Sequence, residues 1–580
     1  MDSSKALVDP LVSSESQPLL PPLSPVSTSP VSIREKLAIC VKCPPWYIRQ
    51  LSKAAIAIVV INIVVSAAYA TVMNTAMFIG YILNGVSTTI IVVYSFVAGV
   101  TLFSPLSGFL ADVCYSRYRV ILVGICLYLS AFLVYSLDAV ITLIFGISIW
   151  DATHYHGLSL FLIILVGIAF IVLVAGLAAY QANFIQFGLD QLLEAPSTSL
   201  ALFIHWVIWA DNLGTLVIQV FFAVLLCKTE SQHNYIPFCG LFISFMLLFF
   251  LIIVCFRRRW FYIELGRRNP YKMVVKILDY VRKHKYPLQR SAFTYCDDEK
   301  PSRLDFAKER YGGPFTTEQV EDVKTFFRIL SVLMTLGPVF VLDVPMSFFV
   351  SIAFGVHIGH NSFVKNQTCS GSLILLEKGS VSNLVAVLLF PVYSWIMFSA
   401  LQRVPRIFIR LVFSVVLYLL GVASMLFIDL AGHLKARGDT TGNSSMCMFI
   451  VDHRVEQEPL LRLHSAVLLI PGLLLGIGPP LVMATTFEFI SAQSPFAMKG
   501  LLVGVFLTIR AVFQLVSGVA LIPLSHEPLW NRHHMIEHPP VTNCGFGYLL
   551  FTCAAALICL ILLSVVAKRY KYRERDDKTL

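Results

Sequence analysis

Charge is scarce in this chain. Asp, Glu, Lys and Arg make up 13% of its 580 residues, where a soluble domain carries about 25%. With 57% hydrophobic residues, that excludes an ordinary water-soluble enzyme. Cysteine is thin too: there are 13, mostly inside apolar runs, so no disulfide scaffold is indicated. Cys40 and Cys43 form a lone CxxC beside the first apolar run. With no second pair it reads as inert or as a juxtamembrane acylation site, not as a metal site. No phosphate loop, metal-ligand cluster or nucleophile–base pair stands out, so neither enzyme activity nor a cofactor is expected. Strict apolar–polar alternation, the mark of a membrane barrel, is also missing. The net charge is +10, but no soluble basic domain is available to meet nucleic acid.

What the chain does have is long apolar runs. About 20 apolar residues are what a ~30 Å hydrocarbon core asks of a helix. Inside that core each backbone N–H must bond within its own segment, so the runs are expected to be helices. They fall near 54–75, 87–110, 119–147, 159–186, 201–227 and 236–256, then near 328–355, 380–400, 407–430, 464–488, 500–523 and 547–567. Six runs, a long polar loop and six more resemble the layout of the major facilitator fold. The expected fold is therefore an all-α membrane protein with twelve transmembrane helices in two six-helix halves. The chain divides into a disordered N-tail (1–50), an N-terminal bundle (51–256), a linker with amphipathic helices (257–325), a C-terminal bundle (326–567) and a basic C-tail (568–580).

Orientation follows from the placement of Lys and Arg. With both termini in the cytosol, 35 of the 44 basic residues fall on the cytosolic side and eight on the far side, with Arg510 inside a run. Two glycosylation sequons, at Asn366 and Asn443, then fall on the far side, as do Cys369, Cys447 and Cys544. The first 36 residues are rich in Ser and Pro, and no charged stretch followed by an apolar core opens them. A cleaved signal peptide is therefore not expected. Glu15, Leu19 and Leu20 have the acidic dileucine form that clathrin adaptors read on cytosolic tails. It points to endolysosomal sorting and leaves the plasma membrane as the other destination.

The linker holds two helical patterns. Met273, Val274, Ile277, Leu278 and Val281 share one face of a segment whose other face is basic. That face suits either the inner membrane surface or a linker brace. A capping box at Thr316–Gln319 starts a second helix that runs into the seventh span.

Several motifs carry a family resemblance. Between the second and third runs stand Gly108, Asp112, Arg117 and Arg119, similar to the facilitator signature of Gly-x-x-x-Asp followed by basic residues. The glycine lets helices approach closely, and the acid meets helix dipoles and arginines; the resemblance implies a latch for the outward-facing state. Gln186-Phe-Gly188-Leu-Asp190-Gln191 ends the fourth run, Trp209-Ala-Asp-Asn212-Leu-Gly214 lies in the fifth, and Glu488-Phe489 leads to Pro495, Met498 and Lys499 after the tenth. Together with Arg303-Leu-Asp-Phe, these resemble motifs of the proton-dependent oligopeptide transporters, and of these the peptide/histidine branch. The resemblance implies transport of small organic solutes by alternating access, with peptides or histidine as the class. The partners it implies are the lipid bilayer, that solute, and protons in symport.

The chain departs from that family at its charged site. Where the family has Glu-x-x-Glu-Arg, this chain has Asn62, Ile63, Val64, Val65 and Ser66. The fourth-span cation falls on Gln181, and the tenth-span acid on Pro479. Unusual intramembrane charges stand elsewhere: His205, Asp211, Asp343 and Arg510, with Glu488 at the end of its run. Such groups are costly in lipid and are candidates for a cavity or an ion pair; Asp343 and Arg510 are expected to pair. His205 can titrate near endosomal pH or serve as a packing residue. Because the family's charges are gone, a second reading stands beside transport: a non-transporting scaffold or sensor at the endolysosomal membrane.

Overall fold

The computed structural model describes residues 52–84, 86–145, 156–192, 195–228, 242–247, 249–251, 261–263, 270–284, 301–342, 382–400, 405–439, 469–495, 498–525 and 546–572. In chain order the helices are α1 (Lys53–Asn84), α2 (Val86–Val113), α3 (Arg117–Phe145), α4 (His156–Asp190), α5 (Ser197–Lys228) and the short α6 (Phe242–Leu251). After them come α7 (Pro270–Lys283), α8 (Thr317–Leu336), α9 (Ser382–Phe398), α10 (Ile407–Asp439), α11 (Leu469–Gln493), α12 (Lys499–Ser525) and α13 (Phe546–Arg569). Among the described residues, ten helices are long and apolar enough to cross a membrane. The shorter α6 and α9 fall where the sequence expects the sixth and eighth spans.

Packing separates two kinds of apolar surface. Phe96, Leu173, Phe203, Phe489 and Phe506 are fully buried between helices. Leu102 is 72% exposed and Val519 67%, although both sit in the apolar runs. An exposed apolar belt of this kind is the surface that lipid covers. Inside the first group of helices, α1 packs on α5 and α3 on α4; in the last group, α10 packs on α11 and α13. The two groups meet chiefly where α2 lies against α12, and less extensively where α4 meets α12 and α5 meets α11.

Two prolines shape those meetings. A proline cannot donate to the carbonyl four residues back. Pro105 in α2 thus leaves the carbonyl of Thr101 free, and Thr508 Oγ1 of α12 donates to it at 2.9 Å. Pro391 in α9 leaves the carbonyl of Val387 free, and Trp209 Nε1 of α5 donates to it at 2.9 Å. Each acceptor that the proline releases is satisfied from the other group of helices, as a dry environment requires. Prolines do not act alike on their helices. α8 passes into a 3₁₀ turn at Gly337–Leu342, which contains Pro338, whereas α11 continues through Pro479 and Pro480.

The linker folds on itself. α7 starts at Pro270, a residue suited to the first helical turn. Its Ile277 and Val281 are buried against Ala307, Val320 and Val323. Protein covers Ile277 and Val281 of that apolar face and part of Met273 and Val274, while Leu278 is exposed. Lys272, Lys276, Arg282 and Lys283 are exposed. α8 begins with the expected capping box: Gln319 N donates to Thr316 Oγ1, and Thr316 N donates to Gln319 Oε1.

Candidate functional site

The first part of the site lies where α2 turns into α3. Asp112 ends α2 and reaches the first turn of α12. Its Oδ1 accepts from Gly500 N (3.3 Å) and Arg117 Nη2 (3.1 Å); its Oδ2 accepts from Leu501 N (3.0 Å) and the Tyr271 hydroxyl (3.0 Å). A carboxylate at a helix N-terminus meets free N–H groups and the positive end of the dipole. Arg117 is shared, since its Nη1 donates to Asp190 Oδ2 of α4 at 2.6 Å. Burial, and the charge of Asp112 beside it, push the Tyr271 phenol well above its ordinary range, so it remains a donor. Gly108 is there for space: a Cβ on it would stand 2.3 Å from the carbonyl oxygen of Gly500. Arg119 is exposed.

The second part lies deeper on the same side. His205 is eight residues beyond Ser197, the start of α5, about 12 Å along the axis at 1.5 Å per residue. It is 1% exposed. Its Nε2 lies 2.9 Å from Glu488 Oε1 of α11, and its Nδ1 lies 2.7 Å from Ser394 Oγ of α9. Arg410 of α10 grips Glu488 with both terminal nitrogens, at 2.6 and 3.1 Å. Burial of one carboxylate is thereby compensated by a two-pronged guanidinium and an imidazole. The rings of Phe390, Tyr393 and Phe398 enclose the imidazole.

The hydroxyl of Ser394 also lies 2.9 Å from the carbonyl of Phe390. Ser394 thus links the imidazole to the backbone of α9. A further link between the groups joins Gln186 Nε2 of α4 to Ser491 Oγ of α11 at 3.1 Å.

The third part is the interior of the first helices. Asp211 of α5 accepts a short hydrogen bond from Ser66 Oγ of α1. Four residues before Ser66, Asn62 donates from Nδ2 to the carbonyl of Val207 (3.0 Å) and accepts from the Tyr180 hydroxyl (3.3 Å). Val65 is buried, and Gln181 and Pro479 are partly buried. Gly214 permits the close approach of α5 and α1, since a Cβ there would stand 2.2 Å from the carbonyl oxygen of Ile63.

Of the sequence's candidates, the structure therefore groups Asp112 with Arg117, His205 with Glu488, and Asp211 with Ser66. Arg410 and Ser394 were not among the candidates. The charge count assigns Arg410 to the segment after the eighth run; it sits in the first turn of α10 and is 8% exposed. The only sequence signal for it was a cation inside Ile407-Phe-Ile-Arg410-Leu-Val. Arg510 lies over the Phe340 ring at 5.8 Å. Its expected partner Asp343, the sequons Asn366 and Asn443, and the dileucine residues Glu15, Leu19 and Leu20 lie outside the described residues. Among the described residues no group of His, Cys, Asp and Glu is placed to hold a metal ion.

No family model matches the chain. It is 21% identical over 456 residues to Solute carrier family 15 member 3 of Mus musculus, covering 73% of this chain and 72% of that protein. Its fold matches an auto-inhibited POT family peptide transporter with a TM-score of 0.59 at 16% identity, over 90% of this chain and 98% of that one. It also matches POT family transporters solved with a thioalcohol-conjugated peptide (TM-score 0.56, 14% identity) and with 5-aminolevulinic acid (0.55, 14%). Each of these covers 90% of this chain and 100% of the other. The structural likenesses establish the fold, that of a multi-pass helical membrane protein, and the sequence match likens the chain to a solute carrier family 15 protein.

Proposed function

We propose that this protein is a transmembrane transporter of small organic solutes that works by alternating access. The observation that carries this reading is the construction of the interface between the two groups of helices. On the side of the α2–α3 turn it is closed by polar contacts, from Asp112 to α12, Gln186 to Ser491 and His205 to Glu488. Contacts of this kind separate without exposing a packed apolar core, which is what a gate requires. A scaffold with no transport cycle gains nothing from an interface of interlocking charges over an apolar one. The POT relatives solved with a conjugated peptide and with 5-aminolevulinic acid support a small zwitterion-sized solute. The dileucine sequence supports an endolysosomal membrane.

The test is uptake into proteoliposomes of labelled dipeptide, histidine and small amines, with and without a pH gradient. Saturable uptake of one of these, lost in Glu488→Ala, is the expected result. Uptake no greater than in protein-free vesicles for every solute overturns the reading. Uptake that ignores the gradient assigns a facilitator instead of a symporter.

A further inference from the structure

We propose that the outer face of α7 docks on the anionic headgroups of the adjacent membrane leaflet. The proposal goes beyond the transport reading and does not depend on it. α7 has 14 residues and two unlike faces. Its inner face is accounted for. Ile277 and Val281 are buried against Ala307, Val320 and Val323, and Met273, Val274 and Tyr280 pack beside them. The core of the linker is thus closed without the opposite face.

Residues four, seven and eleven positions along a helix share a face. Counted from Tyr271 these are Val275, Leu278 and Arg282. Tyr271 shows where that face looks. Its hydroxyl donates to Asp112 Oδ2 at the end of α2, and its ring lies 5.1 Å from that of Phe109 in the same helix. The face therefore starts against the end of a membrane-spanning helix. Farther along it the protein cover stops: Val275 is 65% exposed, Leu278 39% exposed, and Arg282 is exposed as well. An apolar pair that looks toward the ends of the spans without meeting protein is placed to meet the membrane surface.

The charge of α7 agrees. The helix carries Lys272, Lys276, Arg282 and Lys283 against Asp279, four cations to one anion and a net +3. Lys276 and Lys283 are exposed beside the apolar pair, and Lys283 meets Asp279 at 2.7 Å. A basic helix with a few apolar residues on the same side suits the headgroup boundary. In the orientation that the basic residues of the whole chain favour, the linker is cytosolic, and the cytosolic leaflet is the anionic one. Val275 and Leu278 alone offer too little area to hold a protein partner. A membrane surface engages the apolar pair and the cations together. A helix held there also keeps Tyr271 at Asp112.

Hydrogen exchange of residues 270–284 tests this in the full-length protein. The protein is placed in nanodiscs of phosphatidylcholine alone, or of an equimolar mixture with phosphatidylserine. Phosphatidylserine should slow exchange across α7 by about fivefold, the factor one basic side chain gains at an anionic surface. High salt should erase the difference. Lys276→Glu combined with Arg282→Glu should abolish it while exchange in α8 stays as in the wild type, which shows the linker core still folded. Val275→Ser combined with Leu278→Ser keeps every charge and should shrink the difference. Equal exchange of the wild type in the two lipids overturns the proposal and leaves this face to a protein partner. Slowing that survives the double charge reversal overturns it too. No uptake is read, so failure of the transport reading leaves the outcome untouched.

Discussion

The turn side of the molecule and the mid-membrane interior of the first helices differ in what they keep of the family pattern. On the turn side, Asp112, Arg117, Asp190 and Glu488 all stand in motifs that resemble the family's, and each holds one helix to another. In the interior, Asn62, Val65, Ser66 and Gln181 stand where the resemblance sets charges, and Asp211 is itself charged. Interlocks depend on partners at both ends, so a change at one end strands a buried group at the other. A solute site answers only to its solute and can be rebuilt one residue at a time. Retention in the first region and replacement in the second is the pattern expected if the movement is conserved and the cargo is not.

The comparison breaks most severely at Glu488. Glu488→Ala leaves Arg410 buried without its carboxylate, and removing one partner of a buried pair costs about 3–5 kcal/mol. A matching fall in thermal stability is expected in detergent, with Glu488→Gln intermediate. A loss below about 1 kcal/mol would place the pair among exposed surface bridges.

The proline-released carbonyl of Val387 gives a smaller and more pointed test. Trp209→Phe should cost about 1–2 kcal/mol, the worth of an interhelical hydrogen bond in a membrane. In a Pro391→Ala background, where the helix can bond that carbonyl itself, Trp209→Phe should cost measurably less. Equal costs in the two backgrounds would show that Trp209 acts only by packing.

Tyr271→Phe removes one of the donors to Asp112, worth about 0.5–1.5 kcal/mol. Hydrogen exchange at the Leu501 amide should quicken by a few-fold, while solute affinity in uptake stays unchanged. A shift in solute affinity would couple the two regions directly.

The smallest effect concerns the linker. Burial pushes the Asp305 carboxyl up, but hydrogen bonds from Lys308, Lys324 and Ser302 outweigh it and hold the group well below the usual carboxylate range. Because the folded value lies below the unfolded one, Asp305 contributes stability that is fully present at neutral pH. That contribution is lost only as pH falls through the depressed value. The linker should keep its fold through endolysosomal acidity, measured by proteolysis of the linker at pH 7 and pH 5. Asp305→Asn should raise cleavage equally at both.

The frame of the molecule was legible in the sequence because its signals are local. Hydrocarbon thickness sets the length of each run, and the capping box at Thr316 lies within four residues of chain. The motifs also marked Asp112 and Glu488. Arg117 stands in the same motif five positions from Asp112, but the partners of Glu488 were not legible, because those contacts join residues far apart in the chain. Glu488 meets His205 across 283 positions and Arg410 across 78. Only the packing of α5, α10 and α11 brings them together, and apolar periodicity does not encode which polar groups meet. His205 illustrates the consequence: alone in its run it resembles a packing residue, and it is the centre of an ion-paired cluster. The amphipathic stripe of α7 shows the same limit, since periodicity gives the buried face and not whether lipid or protein covers it.

Asp112 distributes four donors over two oxygens, and they come from α3, the linker helix and two successive amides of α12. No donor can leave without shifting the carboxylate against the others. Release of this contact is therefore a single event and not a sequence of small ones. In kinetic terms, the interface should have one barrier for opening, with no populated half-open state at this point. The linker, through Tyr271, moves in the same step as the helices and not after them.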